Sequence, residues 1–516
     1  MDLTVLGATP AVAIGAFLLA ALGCRWLPAR WSAATAKTAS LIAVVSVAIA
    51  AIGFWAAGPS QWPASPADAF GFGVRIDPIN LLALGVVSFV GLVVISFSRA
   101  YLDGNPRQPI FFSRLCATLA AVLLLVSSGT LIQLLCGWVL TSLTLHQLLT
   151  FYPDRPIAQL AARKKFWIAR VADSALLASV ALLIQQFGTI EIAAINEMAH
   201  SATNTGSMTV ATLLIVVAAL LKSAQFPLHG WLTEVMETPT PVSALLHAGI
   251  VNGGGYLVIR FADVVVTNEA AMLTLVVVGG LSALVASVFM LTQSTVKVQL
   301  GYSTVAQMGF MMLQCGLGAF SAAALHLVAH SFYKAHSFLA SGNAVEQVRD
   351  LRLAELEHAQ PTAWRLVGAL VAALAIYAAI AVGLDQLIQI SEGVLLLGVI
   401  YIVGLFGFIA RGFSGQGIVL PVVRHAATAT LLYFGLQTLS LAFFRDYLPP
   451  VTSPTTTATL ITISLIILFS ATALLQFSLT RIAGPRMHAL FVAVRNGFYL
   501  NDYLNNLAGA YRRATH

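Results

Sequence analysis

Charge is scarce in this chain, and its scarcity decides the class. Of 516 residues only 27 are Lys or Arg and 20 are Asp or Glu, 9% in all. A soluble domain carries about 25%, so a self-contained soluble enzyme is excluded. Hydrophilic length is lacking too. The longest polar stretches are 58–76, 188–207 and 344–363, so chemistry on a dissolved substrate requires another subunit. Cysteine is almost absent. Cys24, Cys116, Cys136 and Cys315 lie in or beside apolar stretches with no paired spacing, which argues against a metal site or a disulfide framework. No cleavable leader is evident: the run 10–24 leads into Arg25, Arg30 and Lys37 and reads as a retained span. A net charge of +7 does not point to nucleic acid, because the basic residues do not cluster with aromatics.

What is there is apolar length. The sequence is 59% hydrophobic with a mean hydropathy of +0.87. That predicts an all-α polytopic membrane protein with about fifteen transmembrane helices. The expected spans are 9–24, 38–57, 78–98, 112–129, 130–150, 164–187, 208–226, 241–261, 270–291, 301–320, 322–343, 364–384, 394–411, 424–443 and 456–480. Basic residues alternate between the loops, with Arg155, Arg163, Lys164 and Lys165 placed together after the fifth span. With the N-terminus outside, every Lys and Arg falls on one side except six. Arg170, Lys222 and Lys334 lie within spans, and Arg75, Arg260 and Arg445 lie opposite. The positive-inside rule makes the rich side, and the tail after Thr480, cytoplasmic.

Against this background the exceptions stand out. Lys222 closes the apolar run 212–221, five residues before Pro227. A charge at membrane depth costs at least ~2.5–3.5 kcal/mol, so it is rarely kept without use. Pro227 should break the span just after it and free backbone groups to line a cavity. A lysine snorkelling to the interface is the plain alternative. His326, His330 and Lys334 are spaced i, i+4 and i+8 and so line one helical stripe, from which His336 is excluded. Imidazoles titrate near neutrality and pass protons, so three bases on one stripe favour a relay over packing. His247 adds a fourth candidate. Glu237, ahead of the rigid Thr238-Pro239-Thr240-Pro241, is a further candidate, with favouring the N-terminal dipole of the next helix as its plain alternative.

The string Lys222-Ser-Ala-Gln-Phe-Pro227, followed by Trp231-Leu232 and Met236-Glu237-Thr238-Pro239-Thr240-Pro241-Val242-Ser243-Ala244-Leu245-Leu246-His247-Ala248, closely resembles the proton-conducting antiporter-like family. That family includes the large membrane subunits of complex I and of Mrp-type antiporters. Lys297 with Gly301–Gly309, and His326–Lys334 with Phe338–Gly342, carry the same resemblance. It implies two inverted five-helix repeats, each with a broken helix, covering 111–262 and 263–412. N-terminal helices at 1–110, C-terminal helices at 413–480 and a tail at 481–516 complete the chain. It also implies Lys222 as the central lysine, His247 as the connecting histidine, and His326, His330 and Lys334 as the relay of the second half.

Two departures matter. Where the family's fifth span reads Gly-Trp-Glu, this one reads Gly137-Trp138-Val139, so Lys222 lacks its expected carboxylate. Where a lysine or glutamate ends the second half-channel, Leu384 stands beside Asp385. These losses, with Phe226-Pro-Leu-His229-Gly-Trp-Leu-Thr-Glu234, resemble the membrane subunit of Dab-type inorganic-carbon accumulation complexes. The resemblance implies an H⁺- or Na⁺-conducting transport subunit, itself no enzyme and without a cofactor. Zinc is expected on a large cytoplasmic carbonic-anhydrase-like partner of the DabA type, where CO2 would be hydrated to bicarbonate. The alternative is a proton-translocating subunit of a complex I-like NADH–quinone oxidoreductase or an Mrp-type cation/proton antiporter. Candidates to replace the missing glutamate are Asp173, His247 and a partner subunit.

Overall fold

A computed structural model describes residues 7–63, 70–201, 205–343, 363–385, 392–412, 419–450, 455–479 and 485–507. Among the described residues the regular structure is helical apart from one two-stranded antiparallel ribbon, β1 (Ser60–Trp62) against β2 (Val74–Ile76). The helices are α1 (Thr9–Cys24), α2 (Ala29–Ala57), α3 (Pro78–Tyr101), α4 (Gln108–Val126), α5 (Leu131–Leu149) and α6 (Pro156–Phe187). Next come α7 (Ile192–Ala199), α8 (Gly206–Lys222), α9 (Gly230–Glu234), α10 (Thr240–Leu245), α11 (Gly253–Arg260) and α12 (Ala262–Val266). Then follow α13 (Glu269–Leu291), α14 (Val296–Gly316), α15 (Phe320–Leu339), α16 (Ala363–Asp385), α17 (Glu392–Gly412), α18 (Val419–Phe444) and α19 (Thr456–Leu479). The tail forms α20 (Pro485–Arg495) and α21 (Leu500–Leu507).

A helix overlies every span expected from the sequence. Among the described residues, ten helices are long and apolar enough to cross a membrane, and three shorter apolar ones accompany them. Their outer faces keep Leu19, Trp55 and Leu420 more than 70% exposed. Such apolar surface suits lipid, not water. Entry points follow local chemistry: the side chains of Asp77, Thr130, Thr205 and Asn268 each accept from a backbone N–H of the turn they start.

One boundary differs in a way that bears on function. Helix α6 begins at Pro156, eight residues before the expected span, and takes in Lys164 and Lys165. Both are buried, Lys164 at 7% and Lys165 at 5% exposure, and do not lie in a solvated loop. Proline supplies the helix start, and the lysines find partners on other helices, so hydropathy alone placed the boundary too late.

A buried ion pair pins the opposite end of the bundle. Asp77, between β2 and α3, accepts from Arg260 Nη1 at 2.6 Å and from Arg75 Nε at 2.9 Å. Tyr256 beside it donates to Val126 O at 3.0 Å. Burial pushes the Asp77 carboxyl up, but Arg260 and Arg75 outweigh it and hold it below the usual carboxylate range. Its stabilisation is therefore full above the ordinary carboxylate pKa and is lost as pH falls. Asp77→Ala strands Arg260 and should cost ~3–5 kcal/mol. Thermal unfolding in detergent checks this, and the gap to wild type should narrow in acid.

Candidate functional site

Three devices interrupt the helices around Lys222. Helix α8 ends on Lys222, and Ala224 then adopts a left-handed φ of +51° that an L-residue takes only at a cost. Pro227 prevents the helix resuming, and the chain restarts as α9. Beyond α10, Leu246–Ile250 is a π-turn that carries His247, with Val251 N–H donating to Leu246 O at 3.0 Å. Such bulges widen a helix and often mark functional sites. Finally, Gly254 touches α8 so closely that a Cβ there would lie 2.2 Å from Ala219 O. Only glycine lets α11 press against the end of α8.

Lys222 is 8% exposed, so it is a buried group and not a snorkelling one. Its Nζ makes one long hydrogen bond, 3.4 Å to Trp138 O, and sits 4.3 Å from the centroid of the Trp138 ring. A desolvated cation–π contact of this kind is worth about 2 kcal/mol, enough to hold an ammonium without fixing it. Lys222 faces a cavity of about 20 Å³ that Trp138, Lys165, Asp173 and Trp231 also line. That is space for a single water.

The carboxylate that shares this cavity with Lys222 is Asp173 of α6, itself paired with Arg170 Nη2 at 2.6 Å. Lys165 completes the cluster, donating to Ser142 O at 2.7 Å and Ser142 Oγ at 2.9 Å. Arg170 reaches the same Ser142 Oγ at 3.1 Å. Three cationic side chains thus surround one buried carboxylate. An arginine cannot shed its proton, so the exchangeable charge in this chamber rests on the lysines.

From Lys222 the polar groups continue toward α15. A Cβ on Gly253 would lie 3.7 Å from Lys222 Cε, and the neighbouring Asn252 donates to Ser331 Oγ at 2.8 Å. Ser331 and Asn252 line a second cavity, of about 30 Å³, with Thr141 and Tyr256. Beside Ser331, His330 is buried with neither ring nitrogen hydrogen-bonded among the described residues. Its ring lies 6.1 Å from that of His326, which contacts Gln314 Oε1 through Nδ1 at 2.8 Å. Lys334 is fully buried and donates to Ser303 Oγ at 2.7 Å and Leu300 O at 3.2 Å. His247 joins at the next residue of the same helix, its Nδ1 2.9 Å from Thr304 Oγ1 and its ring stacked on Phe338 at 4.3 Å.

Lys222, His247, His330 and Lys334 are therefore all buried in the bundle interior, with His326 partly buried beside His330. Glu237 does not join them. It ends the short turn Val235–Glu237, and its backbone carbonyl accepts from Arg155. Its carboxylate lines neither cavity and meets no partner among the described residues. Asp385 ends α16, but its side chain, like residues 386–391, lies outside the described residues. Sequence reading passed over Lys165 and Ser142. The signal available was the i, i+5, i+8 set Lys165, Arg170 and Asp173 in one otherwise apolar helix.

An interrupted-helix bundle with buried lysines and histidines along its interior defines an ion-translocating membrane subunit. The chain belongs to the antiporter-like family of complex I and Mrp membrane subunits. The NADH:quinone oxidoreductase/Mrp antiporter transmembrane model matches residues 128–379, and the complex I chain 5 N-terminal model matches 62–112. Within the family it resembles proteins called probable inorganic carbon transporter subunits. DabB2 of Halothiobacillus neapolitanus is 35% identical, over 93% of this chain and 87% of the relative. DabB of Hydrogenovibrio crunogenus is 42% identical, over 59% of each chain. The Mrp complex from Dietzia sp. DQ12-45-1b superposes with a TM-score of 0.63 at 24% identity, over 99% of this chain and 60% of that one. At that identity the likeness speaks to fold alone.

Proposed function

We propose that this chain is the ion-conducting half of an inorganic-carbon accumulation complex. In this reading H⁺ or Na⁺ moves along the Lys222–Lys334 row and drives one-way hydration of CO2 on a cytoplasmic zinc partner of the DabA type. The observation that carries the ion path is the buried cluster of Lys222 and Lys165 around the single carboxylate of Asp173. A membrane interior keeps such charge only where it is used. The carbon-transport assignment draws on the similarity to the probable DabB subunits over nearly the full chain. It also draws on Val139, which stands where the pumping relatives keep a glutamate.

The chemistry follows from the geometry. Lys222, held by one long hydrogen bond and an aromatic face, can swing between the Asp173 cavity and the Asn252 side. An ion or proton arriving at Asp173 weakens that carboxylate's hold on Lys222 and favours the swing. Asn252 and Ser331 then link to the histidines, and Ser303 and Thr304 tie His247 to Lys334.

The test is purification of the intact complex from its host membrane with its metal content measured. A stoichiometric zinc protein should co-purify, and a host lacking this chain should require raised CO2. A protonophore or a sodium ionophore, applied separately, should abolish bicarbonate accumulation and so name the coupling ion. Co-purification with flavin and iron–sulfur subunits, and growth unaffected in ambient CO2, would sink the proposal in favour of a respiratory complex.

A further inference from the structure

The tail after α19 is a second place where buried charge is organised, and the row above does not use it. Lys164 and Glu234 form an ion pair between α6 and the end of α9. Asn501 of α21 bridges both partners: its Oδ1 accepts from Lys164 Nζ at 3.0 Å, and its Nδ2 donates to Glu234. Asn505, one turn on, donates to Glu234 Oε1 at 3.1 Å. Gly230 packs so tightly here that a Cβ would lie 1.9 Å from Asn501 Oδ1.

Two of these contacts are one residue in sequence from the lining of the Lys222 cavity. Lys164 holds the tail while Lys165 lines the cavity, and Gly230 seats Asn501 while Trp231 lines the cavity. The approach to α21 is built as a hinge. Gly497, Phe498 and Tyr499 take φ of +60°, +51° and +58° in succession. For the two L-residues this costs ~1–2 kcal/mol each. Before the hinge the tail is anchored separately: Arg495 Nη2 donates to Ser294 Oγ at 3.1 Å, and Gln293 Nε2 donates to Arg495 O at 3.2 Å.

We infer that α21 is a latch on the ion path, with Lys164 and Glu234 forming the entrance that Asn501 and Asn505 hold shut. Release of α21 about residues 497–499 frees the Glu234 carboxylate and loosens the Gly230–Trp231 floor of the Lys222 cavity. The inference rests on the ion-path reading above and adds to it a point of control.

Disulfide locking tests it. A Cβ at 230 would lie 2.6 Å from Asn501 Cγ, within reach of the ~3.5–4.5 Å Cβ separation of a disulfide. The Gly230→Cys/Asn501→Cys protein, purified with its accompanying subunits and reconstituted in vesicles, should conduct when reduced and lose flux when oxidised. Reductant should restore it, and neither single variant should respond. Equal flux in both redox states overturns the latch. If the reduced double variant is silent, Asn505→Asp decides. A carboxylate facing Glu234 in place of its amide donor should expel α21 and raise flux, and unchanged flux overturns the proposal. Lys222→Ala in the same vesicles separates the two ideas, because wild-type flux there refutes the ion path itself, whereas lost flux with no redox response refutes only the latch.

Discussion

Asp173→Asn is expected to reduce ion flux about 100-fold or more. Removing one partner of a buried charge pair costs ~3–5 kcal/mol, and where the lower figure falls on the transport barrier it amounts to slightly more than two decades in rate. Here the loss falls on a chamber where Lys165, Arg170 and Lys222 share one carboxylate. With asparagine in its place the cations repel without relief, and Lys222 has no reason to prefer the α6 side of its cavity. Flux measured by a pH- or sodium-sensitive dye in vesicles reads the effect, with protein amount and thermal stability as controls.

The same reasoning predicts a rescue. Val139 adjoins Trp138, whose ring and carbonyl hold Lys222. Val139→Glu in the Asp173→Asn background places a carboxylate on α5, at the position where the resemblance to the antiporter-like family implies one, and should recover a substantial part of the flux. Failure of that rescue with both proteins folded would mean that Asp173 acts through Arg170 or Lys165 and not directly on Lys222. Wild-type flux in Asp173→Asn alone would remove the carboxylate switch altogether.

Much of this architecture was legible in the sequence because membrane helices are written in composition and length. Every apolar window became a helix, and Pro227 broke the seventh one just past Lys222 as its chemistry requires. The i, i+4, i+8 spacing placed His326, His330 and Lys334 on one helix of the interior row, although His326 is less enclosed than the other two. What stayed hidden depends on contacts between helices. Lys164 and Lys165 resemble an ordinary positive loop until Ser142 and Glu234 are seen to receive them. Nothing local distinguishes Asp173 from His247 as the answer to Val139. What the fold adds is placement: α6 packs beside α8 and sets Asp173 on the cavity that Lys222 lines, while His247 contacts Thr304. The bulge at Leu246–Ile250 and the docking of α21 have no periodic signature at all.

His330→Leu separates stability from function. Both imidazole nitrogens are buried and lack a hydrogen-bond partner among the described residues. A polar group left so costs ~1–3 kcal/mol, and exchanging it for an apolar side chain of similar size removes that cost. Leucine should therefore hold or raise the melting temperature in detergent. Flux should nevertheless fall sharply, because His330 sits between His326 and the Ser331–Asn252 link, and leucine can neither take nor give a proton there. His336→Leu, off the stripe, is the control and should leave flux near wild type. A stable His330→Leu protein with normal flux would make the stripe a packing feature. A sodium path would give a milder outcome, since Na⁺ needs oxygen ligands and imidazole protonation contributes nothing to its passage. Comparing the loss in proton and sodium gradients therefore identifies the coupling ion from a single substitution.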